Sequence, residues 1–61
     1  MPALETYDWF KKEVWSQVDD EVRKYLEDQR EYLLNIRNEN ERQRFTHEVM
    51  DAVKRMMKKT K

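Results

Sequence analysis

The chain has 61 residues, neither cysteine nor glycine, and a net charge of zero although 43% of its residues are charged. A chain this short forms one domain at most, spanning 1–61, and without cysteine it has neither a disulfide nor a thiolate metal site to brace it. Its apolar material is small against the entropy of ordering it, which leaves self-association or a partner as the expected further source of stability.

Residues Met1–Glu5 contain no basic region and no apolar run, so a signal peptide is not expected. No stretch reaches the ~18 apolar residues of a membrane span. The expected location is the cytoplasm, for a protein of host or phage.

Pro2 is the only proline, and the rest of the chain favours helix throughout. Thr6 is a suitable N-cap, with Asp8 in the first turn behind it. The apolar positions Tyr7, Phe10, Val14, Val18, Val22, Tyr25, Leu33 and Ile36 then recur at steps of three and four, interrupted only at Gln29. Such spacing predicts one long helix over 7–37 with a single apolar face. Trp15 and Leu26 widen that face, while Trp9 and Leu34 fall near its opposite side. A rival reading breaks the helix near Ser16, which could cap a new one with Asp19, Asp20 and Glu21 in its first turn.

Arg37–Arg44 lacks any apolar side chain, and the periodicity resumes at Phe45, Val49, Ala52, Val53 and Met56. A single straight helix would place this second stripe about 200° from the first, at roughly 100° per residue. A turn over 38–40 resolves the conflict, since asparagine tolerates the left-handed geometry that ends helices. Asn38 with Glu41 also resembles a capping box opening a second helix over 41–59. The expected fold is therefore an all-α helical hairpin. It should pair as a homodimer in an antiparallel four-helix bundle, burying Val14, Val18, Val22, Tyr25, Leu33 and Ile36 against Val49, Val53 and Met56. The alternatives are a three-helix arrangement with the break near Ser16, or a continuous coiled coil whose seam Glu39, Gln43 and Thr46 would spoil. Residues 58–61 are expected to fray.

Charge is distributed unevenly along the chain. Residues 1–36 hold nine acids against five bases, a net of −4, and residues 37–61 hold eight bases against four acids, a net of +4. Opposite halves attract within or between chains.

Catalytic chemistry finds little support. His47 and Asp51 could share a helix face, but no second histidine or cysteine completes a zinc site. Ser16 is the only serine and lacks a nucleophile elbow, and a phosphate-cradling loop needs glycine. The expectation is no enzyme, no metal and no cofactor. Tyr7, Trp9, Phe10 and Trp15 cluster in nine residues, and exposed tryptophan is enriched at binding hot spots. Trp9, with Tyr7 and Lys12, is the expected contact for a protein partner. Arg42, Arg44, Lys54, Arg55, Lys58 and Lys59 give the second helix a basic face. That face either neutralises the acidic first half or binds nucleic acid. A stoichiometric protein-binding regulator or inhibitor is the reading these features favour, and a dimeric nucleic-acid-binding regulator is the alternative. Compact chains of this kind are common among small regulators and phage-encoded inhibitors.

Overall fold

A computed structural model describes the backbone of residues 2–59 and the side chains of residues 2–58. Thr60 and Lys61, in the segment expected to fray, lie outside the described residues, and Lys58 and Lys59 belong to the last helix. The described residues form three helices, α1 (Ala3–Val14), α2 (Asp20–Leu34) and α3 (Glu39–Lys59), with a 3-10 turn at Trp15–Gln17. No strand occurs among them. Ala3 meets Glu39 at one end, and Gln17 and Val18 meet Met56 and Met57 at the other. Hence α1 and α3 run parallel, and α2 returns antiparallel to both. The body measures 36 × 16 × 15 Å, and α3 runs nearly its whole length.

The expected helix over 7–37 is therefore corrected: it is two helices, divided as in the break reading. Val14 ends α1, Val18 (φ −123°, ψ 160°) and Asp19 (φ −87°, ψ −179°) are extended, and α2 starts at Asp20. The cap is Asp19 and not Ser16, because Asp19 Oδ1 accepts the Val22 N–H at 3.0 Å. Two carbonyls near the end of α1 find side-chain donors: Arg23 Nε donates to Trp15 O at 2.9 Å, and Gln17 Nε2 to Glu13 O at 3.2 Å. The break is thus satisfied locally, as a helix end must be.

Thr6 does not cap α1 either. The helix starts four residues earlier, after Pro2, and the Thr6 N–H and hydroxyl both turn back to the Pro2 carbonyl. A proline before the first turn suits this place because its missing N–H is not needed there. The cap itself comes from far along the chain, since Glu39 Oε2 accepts the Ala3 N–H at 2.9 Å.

The second connection is real but shifted. Leu34 ends α2 and Glu39 opens α3, so the turn covers 35–38 and not 38–40. Asn38 does cap α3, its Oδ1 accepting the N–H groups of Asn40 (2.8 Å) and Glu41 (3.2 Å). The left-handed residue expected there is absent, for no described non-glycine residue has positive φ. The α2 end closes instead through 3-10-type bonds from Asn35 N to Tyr32 O and from Ile36 N to Leu33 O. This turn also removes the continuous coiled coil.

Folding α1 onto the other two helices changes which residues are core. Tyr7, Phe10, Val14, Leu26, Leu33, Val49 and Val53 form one buried cluster. Leu26, expected at the margin of the stripe, is fully buried, whereas Val18, Val22, Tyr25 and Ile36 pack around the rim. Within one chain, Val14 and Leu33 already pack in the same buried cluster as Val49 and Val53, as the hairpin reading expects of these residues.

Candidate functional site

Two electrostatic clusters fix the helices. Along the α1–α2 seam, Arg30 clasps Asp8 through two bonds of 2.7 and 3.1 Å, and Lys11 reaches Glu27 at 3.4 Å. These charge-assisted bonds from Arg30 hold the Asp8 carboxyl below its ordinary range, against the opposing effect of burial. Trp15 continues the seam, with Lys11 Nζ 5.0 Å and Arg23 Cζ 5.5 Å from its ring centroid. Cations at such distances are attracted to the indole face.

The second cluster ties the opening of α1 to the opening of α3. Arg42 donates to Ile36 O at 2.7 Å and to Glu39 Oε1 at 2.8 Å, while the other Glu39 oxygen holds Ala3 N. The Ala3 N–H, ahead of the Arg42 guanidinium, keeps Glu39 below its ordinary range. One arginine thus anchors the α2–α3 connection and orients the carboxylate that caps α1.

The three side chains expected to contact a partner are separated by this fold. Trp9 stands out from α1 with 57% of its surface exposed, and Lys12 is exposed one turn away. Tyr7 is fully buried and its hydroxyl donates to the Leu26 carbonyl. Burial, reinforced by Tyr25 and Asp8, pushes its phenol pKa up. Tyr7 is therefore core, which corrects its place among the contact residues. Sequence spacing shows the cause, since Tyr7 shares the Phe10 and Val14 face while Trp9 lies across the helix.

The expected basic face divides in the same way. Arg42 is consumed by the α1–α3 junction. Arg44, Lys54, Arg55 and Lys58 are exposed, and none forms an ion pair among the described residues. The Lys59 side chain lies outside the described residues. Among the described residues the ion pairs join acids and bases of the same sequence half, so there the basic half does not neutralise the acidic one through direct contact.

Surface depressions are shallow. One of about 310 Å³ is lined by Lys11, Glu27, Arg30, Glu31 and Leu34, and another of about 270 Å³ by Ala3, Thr6, Gln43, Thr46 and His47. Thr46, 2% exposed, holds a hydroxyl without a hydrogen-bond partner among the described residues. Among those residues no group of three or more His, Asp or Glu side chains could hold a metal ion. No described helix is long and apolar enough to cross a membrane. No family model, curated protein or solved structure matches the chain.

One surface feature escaped the sequence reading. Tyr32 is 58% exposed and meets Phe45 in a tilted ring contact, centroids 4.9 Å apart and planes at 48°, bridging α2 and α3. The spacing itself held the signal, since Tyr32 falls in line with Val14 inside the apolar stripe, but the single long helix left it without special meaning.

Proposed function

We propose that this chain is a non-catalytic protein-binding module, acting stoichiometrically as a regulator or inhibitor of a partner protein, and that it works as a homodimer. The observation that carries the reading is Trp9. Its indole projects from α1 away from the buried Tyr7 and Val14, with more than half of its surface exposed. Helical spacing sets Glu5, Lys12 and Glu13 around it. An aromatic ring within a charged rim is the composition of an interface hot spot. The reading includes a cytoplasmic location, on the sequence grounds given above.

The test pairs a melt with a binding isotherm against a partner recovered by crosslinking. Trp9→Ala should leave stability within ~0.5 kcal/mol, as for exposed residues generally. It should weaken partner binding about thirtyfold, the equivalent of a ~2 kcal/mol hot spot. Unchanged affinity would refute Trp9 as the contact.

Lys54, Arg55 and Lys58, exposed and without an ion pair among the described residues, support a second reading, nucleic-acid binding by the C-terminal turns of α3. A gel shift should then weaken steeply with salt as counterions are released. Replacing the three with Gln should abolish it without loss of helicity. The absence of any shift at low salt would remove this reading.

A further inference from the structure

The notch between α1 and α3 differs in chemistry from the rest of the surface. Ala3 and Thr6 line it from α1, and Gln43, Thr46 and His47 from α3, around about 270 Å³. None of the five is charged, in a chain where 43% of residues are. Three other depressions have charged walls, with Glu27 and Arg30 in one, Glu39 and Arg42 in another and Asp19 in a third.

Thr46 sets the notch apart a second time. The residue is 2% exposed, and its hydroxyl has no hydrogen-bond partner among the described residues. Buried polar atoms are paired in the large majority of cases, so an orphan beside a polar notch points to a ligand group that pairs with it.

We infer that the notch takes an uncharged carboxamide, the side chain of an asparagine or glutamine of the partner protein, hydrogen-bonded to the Thr46 hydroxyl and the His47 imidazole. Gln43 and His47 flank Thr46 on α3 and are exposed, and they turn outward to admit it. The walls set the chemistry. The Thr46 hydroxyl can donate or accept, and a neutral imidazole offers one nitrogen of each kind. The Thr6 hydroxyl donates to Pro2 O at 3.4 Å, so it meets a ligand as an acceptor. A carboxamide carries donors and an acceptor in one group. A charged group would be buried without a counter-charge, because Glu39 and Arg42 are bound to each other and Glu39 to the Ala3 N–H. An apolar group would leave the Thr46 hydroxyl unpaired. Trp9 lies one turn along α1 from Thr6, so residues beside the carboxamide reach the indole. The inference names the chemistry of the protein partner proposed above, and rests on that reading for the source of the amide.

Propionamide is the probe, titrated into the isotope-labelled full chain and followed by two-dimensional amide NMR, with propionate and propylammonium as charged controls. The amides of Thr6, Gln43, Thr46 and His47 should shift saturably, at a Kd of roughly 10–100 mM for so small a molecule. Thr46→Val keeps the shape and removes the hydroxyl, and should raise that Kd about fivefold or more. Thr46→Ser keeps the hydroxyl and should stay within about threefold of wild type. Shifts that do not saturate, that propionate or propylammonium match, or that survive Thr46→Val would overturn the site. Trp9→Ala should leave propionamide binding within about threefold, so the notch and the protein-binding reading fail separately. In the partner isotherm, Thr46→Val should weaken affinity about fivefold. Unchanged affinity there would overturn the partner as the source of the amide and leave a free amide as the ligand.

Discussion

At the scale of single residues, the fold is held by a few groups whose loss has a defined sign. Tyr7 spans the core and donates to Leu26 O. Tyr7→Phe keeps the ring and removes one buried bond, so it should cost about 1 kcal/mol in chemical denaturation. Thr46 works the other way. Its buried hydroxyl is unpartnered among the described residues, and Thr46→Val is nearly isosteric, so the variant should gain about 1 kcal/mol and melt roughly 5 °C higher. A loss in that melt would mean that the hydroxyl has a partner in solution. Leu26 lies within α2 and is fully buried, whereas Val18 is extended ahead of that helix and sits at the rim. Leu26→Ala should therefore cost ~2–5 kcal/mol, most of the stability available to so small a core, and Val18→Ala clearly less. Equal losses in the two denaturation curves would favour the undivided helix.

At the scale of elements, the helix ends explain where the chain bends. Asp19 and Asn38 cap α2 and α3, so Asp19→Ala and Asn38→Ala should each destabilise by about 1 kcal/mol. Ser16→Ala should be nearly neutral, since Ser16 is exposed and caps nothing. Acid acts on the contacts that join helices through carboxylates, the Asp8–Arg30 and Glu39–Ala3 bonds among them. Asp8 and Glu39 both titrate below their ordinary values of 3.8 and 4.5, because Arg30 and the Ala3 N–H respectively favour the charged form. A depressed pKa gives stability that is complete above the unfolded value and lost as the pH falls through the folded one. The melting temperature should thus decline below about pH 4. The double variant Asp8→Asn/Glu39→Gln should start lower at neutral pH and show a flatter acid limb, read from melts across that range. The all-helical composition, the exposed Trp9 and the second connection were legible in the sequence at this scale. The cap on α1 was not, because its donor and acceptor are far apart in the chain and no local pattern joins them.

At the scale of the whole molecule, packing a third helix onto the other two decides what is surface. The stripe from Tyr7 to Ile36 reads as one face only while the helix is undivided. Two extended residues at Val18 and Asp19 turn its second half back antiparallel, so that Leu26 and Leu33 enter the core while Tyr25 and Tyr32 are left at the α2–α3 edge. The charged seams are too exposed for salt to unfold the molecule. Screening the Lys11–Glu27 pair should change stability by less than ~1 kcal/mol, which melts in low and high salt would show.

The sequence by itself determined helix content, the approximate place of the second turn, the face on which Trp9 stands and the opposite signs of the two halves. Each of these follows from spacing along a single helix or from counting charges. The tertiary structure decided that the long stripe is divided, that Asp19 and Glu39 are caps, that Tyr7 and Leu26 are core, and that Arg42 is a tie between elements and not part of a free basic face. Those choices depend on which surfaces meet after α1 folds against α3. Apolar periodicity fixes the direction in which a side chain points from its own helix, but not whether another helix stands in that direction.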